Sequence, residues 1–232
     1  MKTEKQQIQE YTNWKQKCLT RGYFFEVERT DIINALIKKN EYINYLEIGV
    51  HDGNNIKRIN AAHIDGVDPG IEGHDVPETN YKITSDRFFS AINGHNIKYD
   101  IIFIDGLHLD YQVYKDIINS LNHITSNGTI VCHDMNPKWE LSTGTKPDGV
   151  CWNGSCWKAW VKLRSEKDNL KMYVVDTDHG VGIIQAGNQN IITLPKKAFD
   201  LDFEYLENNR NEILNLISIK TFDNINNTNN TK

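Results

Sequence analysis

The sequence lacks several features that would assign it to a common functional class. No apolar run approaches the roughly 20 residues of a membrane span, and the start, MKTEKQQIQE, lacks the apolar stretch of a secretory signal. The formal net charge is −5, so the chain has no basic excess of the kind that binds nucleic acid or an anionic membrane. We therefore expect a cytoplasmic protein without a nucleic-acid or membrane partner.

Cysteine is also scarce, and its spacing excludes a structural zinc site. The four cysteines, Cys18, Cys132, Cys151 and Cys156, include no CxxC pair. We interpret them as free thiols. A disulfide between Cys151 and Cys156 is the alternative, and a reducing compartment disfavours it.

Length and patterning indicate one globular core. With 232 residues, of which 39% are hydrophobic, the chain can bury a sizeable interior. We expect an N-terminal helical segment over residues 1–40, the main domain over 41–220 and a flexible, Asn-rich tail over 221–232. The N-terminal helices are candidates for covering a ligand or for pairing with a second subunit, so a homo-oligomer is one expectation.

Short apolar runs alternate with helical patterns along the main domain. Five runs predict parallel strands buried on both faces: YINYLEIGV, HIDGVDP, YKITSD, YDIIFID and GTIVCHD. Two more, LKMYVVDT and GVGIIQAG, flank a short turn and predict an antiparallel hairpin. Helices are predicted over Glu4–Cys18, Thr30–Lys39, Asn54–Ala62, Arg87–Asn93, Asp110–Ile124 and Cys156–Ser165. The sequence therefore predicts an α/β fold, with a doubly wound, Rossmann-like sheet of seven strands, the last antiparallel, and helices on both faces.

Acidic residues stand at the ends of all five predicted parallel strands. They are Glu47, Asp68, Asp86, Asp105 and Asp134. A single Asp after a strand is usually a helix cap, but five acids at the edge where open α/β sheets bind ligands favour a site. Like charges gathered at one edge repel, so a cationic ligand or many ligand hydroxyls should compensate them.

The first turn, EIGVHDGNN, narrows the choice of ligand. A dinucleotide site requires G-x-G-x-x-G, but His51 and Asn54 occupy the second and third glycine positions. This departure argues against a pyrophosphate, and with it against an NAD-linked oxidoreductase. A cofactor with a ribose and a cationic end but no phosphate fits the acids better, and S-adenosylmethionine is such a cofactor.

Five segments together resemble one enzyme family: YLEIGVHDGNN, GVDP, TSDRFF, FIDGLHLDYQVYKDI and IVCHDMNP. In this order they are similar to class I S-adenosylmethionine-dependent methyltransferases, and most to the bacterial branch that methylates hydroxyls of sugars and related natural products. The resemblance covers roughly Ile43–Gln185. It implies an O-methyltransferase that acts on a hydroxyl of a sugar, a glycan or a small natural product. A methyltransferase-like domain that only binds the cofactor is the second hypothesis, and an NAD-linked oxidoreductase, which the missing glycines and the terminal hairpin disfavour, is the third.

The resemblance also implies which residues hold the cofactor. The loop with Gly49, His51 and Gly53 would lie under the methionine part, and Glu47 would face its ammonium group. Asp68 would accept hydrogen bonds from the ribose hydroxyls. Ser85 and Asp86 would border the adenine, and Asp105 also stands among the cofactor-binding positions.

Two further positions match a metal site in related O-methyltransferases. By the resemblance, Asp105 and Asp134 would hold a divalent ion, for which magnesium is the expectation, and Asn136 would be a third ligand. The chain departs from the family patterns here, because Met135 separates Asp134 from Asn136 and His133 stands where one subgroup has an acid. The alternative is that both carboxylates bind cofactor and substrate without a metal.

His108 matches the general base of the same enzymes. An imidazole takes up a proton near neutrality, so His108, beside Asp105, would deprotonate the acceptor hydroxyl. His133 is the second candidate for the base, and a structural hydrogen bond is the alternative role for either histidine. Trp139 and Trp152 lie in a long loop after the fifth strand, where they would stack on the acceptor or pack the loop.

Overall fold

A mixed sheet of seven strands forms the centre of the fold in the computed structural model, which describes residues 3–21, 25–70, 79–146 and 152–227. The strands are β1 (Asn44–Ile48), β2 (His63–Val67), β3 (Tyr99–Ile104), β4 (Ile124–Cys132), β5 (Leu170–Val175), β6 (Val181–Ala186) and β7 (Leu216–Ile217). Their order across the sheet is β2-β1-β3-β4-β6-β5-β7.

The strand directions confirm the predicted fold class. Strands β1 to β4 run parallel to one another, β6 runs antiparallel to both β4 and β5, and β7 pairs in parallel with β5. The sheet is therefore Rossmann-like with one reversed strand, β6. Because β5 runs in the same direction as β4, the turn after β5 lies at the same edge as the ends of β1 to β4.

Helices cover both faces of the sheet. They are α1 (Glu4–Arg21), α2 (Arg29–Asn40), α3 (Ser85–Ile92), α4 (Asp110–His123), α5 (Cys156–Glu166), α6 (Phe203–Leu214) and α7 (Ile219–Asn227). None of the helices in the described ranges has the length and apolarity of a membrane span.

Successive residues of β3 pack into two different hydrophobic clusters, one on each face of the sheet. Ile102 packs into a cluster with Trp157 and Trp160 of α5, whereas Phe103 packs into a second cluster with Leu36 of α2. All five side chains are at most 1% exposed. Burial on both faces explains why the parallel strands read as unbroken apolar runs.

Two elements differ from the prediction. The run YKITSD forms no strand of its own: Tyr81 makes one isolated bridge to Val67, and α3 begins at Ser85 because the Thr84 side chain accepts a hydrogen bond from the Arg87 amide. Asp86 therefore lies in the first turn of a helix and not at a strand end. The helix predicted over Asn54–Ala62 is only a 3₁₀ turn, Ile56–Arg58.

The C-terminal region is more ordered than its composition predicts. Residues 221–227 belong to α7, because Phe222 is 2% exposed in the cluster formed with α2. Residues 228–232 lie outside the described residues. Cys132 and Cys156 are buried free thiols, as predicted. Cys151 and the side chain of Cys18 do not belong to the part of the chain that the structure describes.

Truncation of Phe222 tests whether α7 is part of the folded core. We expect Phe222→Ala to lower the free energy of unfolding by about 3 kcal/mol, because it empties a buried aromatic site. Urea denaturation of both proteins measures the change. Asp223→Ala, at an exposed position of the same helix, should stay within about 0.5 kcal/mol of wild type. Equal stability of the two variants would mean that the tail is not anchored.

Candidate active site

The carboxyl edge of the sheet gathers the charged residues that the sequence analysis singled out. Asp105 follows β3, and His133 and Asp134 follow β4. The turn between β5 and β6 adds Asp178 at the same edge. The start of α2 adds Arg29, whose amide donates to Asp178 at 2.8 Å.

Two aspartates and two histidines form one compact cluster. His133 Nδ1 lies 3.2 Å from Asp105 Oδ1 and 3.4 Å from Asp134 Oδ2. His108 contacts the same two carboxylates, with Nε2 at 3.3 Å from Asp105 Oδ1 and Nδ1 at 3.2 Å from Asp134 Oδ2. Each imidazole therefore bridges the acids of two neighbouring strands.

The segment 152–155 holds His108 in place. The Ser155 amide donates to the His108 carbonyl at 2.9 Å, and the Trp152 ring stacks on the imidazole at 4.9 Å between centroids. A Cβ on Gly154 would lie 2.0 Å from the His108 carbonyl oxygen, so only glycine fits there. Asn153 donates from its side chain to Asp134. The loop after β4 thus returns to contact both His108 and Asp134.

The contacts of His108 specify which ring nitrogen is available. Nδ1 lies 3.0 Å from the Trp152 carbonyl oxygen. A carbonyl only accepts, so Nδ1 carries a hydrogen, and in the neutral imidazole the lone pair is on Nε2. Nε2 faces Asp105 Oδ1. The fold therefore presents Nε2 as the atom that takes a proton or binds a cation.

Sequence reasoning missed Arg29 and Asp178, although both contact the cluster. The Arg29 guanidinium lies 3.2 Å from Asp178 and 3.8 Å from Asp105, and His133 Nε2 lies 3.4 Å from Asp178 Oδ1. The position of Asp178 could have been inferred from the predicted hairpin. Asp178 lies in the turn after β5, and because β5 runs parallel to β4, this turn lies at the same edge of the sheet as Asp134. No local signal marks Arg29.

The charges of this cluster stabilise one another. Burial disfavours every charged form, but the carboxylates Asp134 and Asp105 outweigh it and raise the pKa of His108 to about 9 and the pKa of His133 well above its ordinary value. In turn, the cations outweigh burial and lower the pKa of Asp105, Asp134 and Asp178. Without a ligand, the site is an internally paired ion network at neutral pH.

Glu47, near the end of β1, is buried beside this network. It is 1% exposed, and it accepts hydrogen bonds from the Tyr45 hydroxyl and, at 2.8 Å, from Asn55. Burial raises the pKa of Glu47 to about 7, although these two hydrogen bonds oppose the shift. Thr30 donates to the Asn55 side chain at 2.7 Å and completes the chain of polar contacts. Glu47 is therefore a buried carboxyl that has hydrogen-bond donors but forms no ion pair among the described residues.

The turn after β1 forms a cradle next to Asp105. Gly49 has φ +89°, and a Cβ there would lie 2.2 Å from the Asp105 carbonyl oxygen. Asp68, which follows β2, stabilises the same turn, because one of its carboxylate oxygens accepts a hydrogen bond from the His51 amide at 2.9 Å. Its other carboxylate oxygen accepts from the Gly70 amide at 2.8 Å. The glycine turn, the half-buried Asp68 and the Asp105 cluster are therefore adjoining parts of one edge.

Two other predicted residues have protein partners in this structure. Asp86 pairs with Lys115 at 2.7 Å, and Ser85 accepts from Gln112 at 3.2 Å. The hydrogen bond from Lys115 lowers the pKa of Asp86. Both residues lie at the start of α3, where α4 engages them.

Asn136 is turned toward a different group of residues. It is fully buried, its side-chain nitrogen donates to Asp176 at 2.8 Å, and its oxygen accepts from Arg210. Both ends of the amide are therefore used away from Asp105 and Asp134.

Aromatic side chains flank the cluster on its open side. Trp14 of α1 lies 4.4 Å from Trp139 and 5.4 Å from His179, measured between ring centroids, and Phe25 lies 5.3 Å from His179. With Trp152 on His108, these rings give the edge a partly apolar wall. The N-terminal helix thus contributes to the surroundings of the site.

The donor set is compatible with a divalent ion. Ligand atoms from Asp105, His133 and Asp134 all lie within 4.8 Å of one another, and so do those from His108, Asp134 and Cys156. In addition, the buried Asn153 Oδ1 has no hydrogen-bond partner among the described residues. An unpaired buried acceptor beside Asp134 is consistent with a cation or its hydration water.

Glu47 gives a prediction about stability and pH. Because its pKa in the folded protein is above the ordinary 4.5, the folded state holds the proton more tightly and loses stability as pH rises from about 4.5 to about 7. The loss is about 3 kcal/mol. Glu47→Gln keeps an acceptor for Tyr45 and Asn55 without the charge, so its stability relative to wild type should rise by this amount in urea denaturation between about pH 4.5 and about pH 8. Parallel pH profiles of the two proteins would contradict the assignment.

Comparisons with known proteins agree with this architecture. A family model described as a methyltransferase domain matches residues 46–135, which include the turn after β1, Asp105, His108 and Asp134. No match was found among curated proteins.

Solved structures with the same fold are methyltransferases of low sequence identity. The SAH-bound methyltransferase PaMTH1 of Podospora anserina has a TM-score of 0.51 and 15% identity, over 78% of this chain and 88% of that chain. An O-methyltransferase of Bacillus cereus in complex with SAH has a TM-score of 0.52 and 13% identity, over 79% and 91%. TomG of Streptomyces achromogenes, an O-methyltransferase involved in tomaymycin synthesis, has a TM-score of 0.51 and 9% identity, over 81% and 92%.

The sequence match and the fold agree on the class of domain. The family model matches residues 46–135 as a methyltransferase domain, and the solved structures share the Rossmann-like fold of this chain, which confirms the predicted architecture.

Proposed function

We propose that this protein is an S-adenosylmethionine-dependent O-methyltransferase that acts on a hydroxyl of a small molecule, in particular a sugar, a glycan or a related natural product. One observation carries the proposal: His108, with its Nε2 directed inward, lies against Asp105 at 3.3 Å, and the glycine turn of the methyltransferase domain touches the backbone of Asp105. A proton acceptor and a cofactor cradle are thus immediate neighbours.

The cofactor cradle consists of residues at the ends of β1 and β2. Gly49, His51 and Gly53 provide the turn under the methionine part, and Asp68 provides carboxylate oxygens for the ribose hydroxyls. Glu47, which has no cationic partner within hydrogen-bond distance in the part of the chain that the structure describes, offers a negative charge to the ammonium group. Since a positive group stabilises the ionised form of a buried acid, binding of a cationic cofactor would compensate the burial of Glu47.

Asp105 and Asp134 would hold a divalent ion beside the cradle. When bound, such an ion supplies positive charge that favours the ionised form of an acceptor hydroxyl. We assign no ligand role to Asn136, because Asp176 and Arg210 occupy its amide. Ser85 and Asp86, by contrast, remain candidates for the adenine end, since both are only half-buried.

His108 acts as the proton acceptor at Nε2. Burial lowers the pKa of His108, but the neighbouring Asp134 and Asp105 carboxylates outweigh burial and raise it to about 9, which favours the protonated imidazole. His108 therefore accepts a proton from the substrate only when other positive charge engages those carboxylates. S-Adenosylmethionine supplies an electrophilic methyl group, and the residues around it supply alignment and the removal of one proton.

The aromatic wall favours an acceptor with a ring. Trp152 stacks on His108, and Trp14 contacts Trp139. The faces of such side chains bury the apolar side of a sugar or aromatic ring, and the nearby polar groups can pair with its hydroxyls.

The cofactor role of Asp68 can be measured directly. Asp68→Ala should weaken S-adenosylmethionine binding by about tenfold or more, because two hydrogen bonds to the ribose are lost together. Isothermal titration calorimetry gives the dissociation constants, and Asp223→Ala on the remote α7 serves as the control. If Asp68→Ala bound as tightly as the control, the cradle would have to lie elsewhere.

The proton-acceptor role of His108 predicts a different pattern. With a chromatographic assay of a methylated hydroxyl acceptor, His108→Gln should lower kcat by a factor of about 100 or more while leaving the dissociation constant of S-adenosylmethionine unchanged. His123→Gln, which changes a buried histidine in α4 away from the site, should retain kcat. Retained turnover in His108→Gln would exclude His108 as the base, and no turnover in wild type despite cofactor binding would favour a domain that only binds.

A further inference from the structure

We propose that His133 is a ligand of the divalent ion at this site, and that the site therefore prefers a transition-metal ion such as Mn²⁺ or Co²⁺ to Mg²⁺. The inference rests on the metal-assisted form of the proposed function. It assigns to His133 a role other than that of a base, and it changes the expected ion.

The first argument is the spacing of donor atoms. His133 Nδ1 lies 3.2 Å from Asp105 Oδ1 and 3.4 Å from Asp134 Oδ2. Two ligand atoms at right angles, each about 2.1 Å from an ion, are about 3.0 Å apart. The imidazole nitrogen therefore already occupies the position of a neighbouring ligand, and small shifts would close the set around one ion.

The second argument is the contact between Asp178 and the other nitrogen of the His133 imidazole. A histidine that binds a metal with one nitrogen usually donates the hydrogen of the other nitrogen to a carboxylate. His133 Nε2 lies 3.4 Å from Asp178 Oδ1, and Arg29 Nη1 reaches the same oxygen at 3.3 Å. Both groups converge on Asp178, which explains why they lie 3.3 Å from each other. This arrangement directs Nδ1 toward Asp105 and Asp134.

The third argument is the environment of the ligands. His133 is 6% exposed, which makes it a poor candidate for exchanging protons with an acceptor but a suitable fixed ligand. Asn153, 2% exposed, donates to Asp134, and its side-chain oxygen has no hydrogen-bond partner within the described ranges. A buried oxygen of this kind is a further donor for the ion or for a water bound to it.

The choice of ion follows from the donor types. Carboxylate and water oxygens suit Mg²⁺, a hard ion that dehydrates reluctantly. Imidazole nitrogen suits first-row transition ions, whose affinity for nitrogen-containing sites exceeds that of Mg²⁺. One imidazole with two carboxylates is a mixed set that Mn²⁺ and Co²⁺ accept, whereas an acid at position 133 would give the all-oxygen set of a magnesium site.

The test compares metal preferences of the chelator-treated protein and of His133→Asp. Calorimetric titration of wild type should give a dissociation constant for Co²⁺ or Mn²⁺ about tenfold or more below that for Mg²⁺. His133→Asp should reduce this preference by a similar factor. His123→Gln, another buried histidine, is the matched control and should keep the wild-type preference. Equal preferences in wild type and His133→Asp would overturn the proposal.

A spectroscopic measurement on wild type covers the case in which His133→Asp does not fold. Proton NMR of the Co²⁺-loaded protein should show a paramagnetically shifted, solvent-exchangeable imidazole N–H signal, from Nε2 of the bound histidine. Asp178→Asn, which leaves His133 in place, should lower the Co²⁺ affinity by a factor of about 10 to 100. Absence of a shifted N–H signal in wild type would exclude histidine as a ligand.

The same protein preparation separates this inference from the proposed function. S-Adenosylmethionine binding is measured in EDTA, where no ion is present. If S-adenosylmethionine binds but the protein prefers Mg²⁺ or binds no metal, only the role of His133 is rejected. Failure of S-adenosylmethionine to bind, with or without metal, would reject the proposed function itself.

Discussion

Three carboxylates brought together at one edge of a sheet are the constraint on which the rest of the site depends. Asp105, Asp134 and Asp178 would repel one another if nothing compensated them. The fold compensates them with His133 and Arg29, and the burial of His133, Asp134 and Asp178 reduces the screening of their interactions by water. In such a site the charges are paired within the protein. Each cation that binds must therefore replace an internal partner of one of the carboxylates. In the proposed reaction, that exchange would link cofactor binding, metal binding and proton transfer at one place.

The parallel part of the sheet explains why local sequence was informative here. Strands β1, β3 and β4 are buried on both faces, so their ends are marked by the change from apolar to acidic residues, and Asp105 and Asp134 were located from that change. The reversed strand β6 could also be predicted, because a short turn separates two apolar runs. The same turn carries Asp178 to the cluster, since β5 runs parallel to β4.

Contacts between distant parts of the chain could not be predicted from local patterns. Arg29 reaches Asp178 across 149 positions, and nothing in its own segment marks it as part of a site. YKITSD was misassigned as a strand because its apolar content resembles one, whereas Thr84 caps the start of a helix and draws Asp86 into the first turn. Helix α7 likewise depends on a tertiary contact of Phe222, and the Asn-rich composition of this segment does not predict that contact.

The central claim is that the glycine turn and the charged cluster serve one reaction, with the reactive centre of the cofactor between them. A crystal structure of the protein in complex with SAH tests this most directly. The account predicts that the ribose hydroxyls contact Asp68 and that the sulfur atom points toward Asp105 and His108. Density for SAH at any other edge of the sheet, or a sulfur atom directed away from His108, would contradict it.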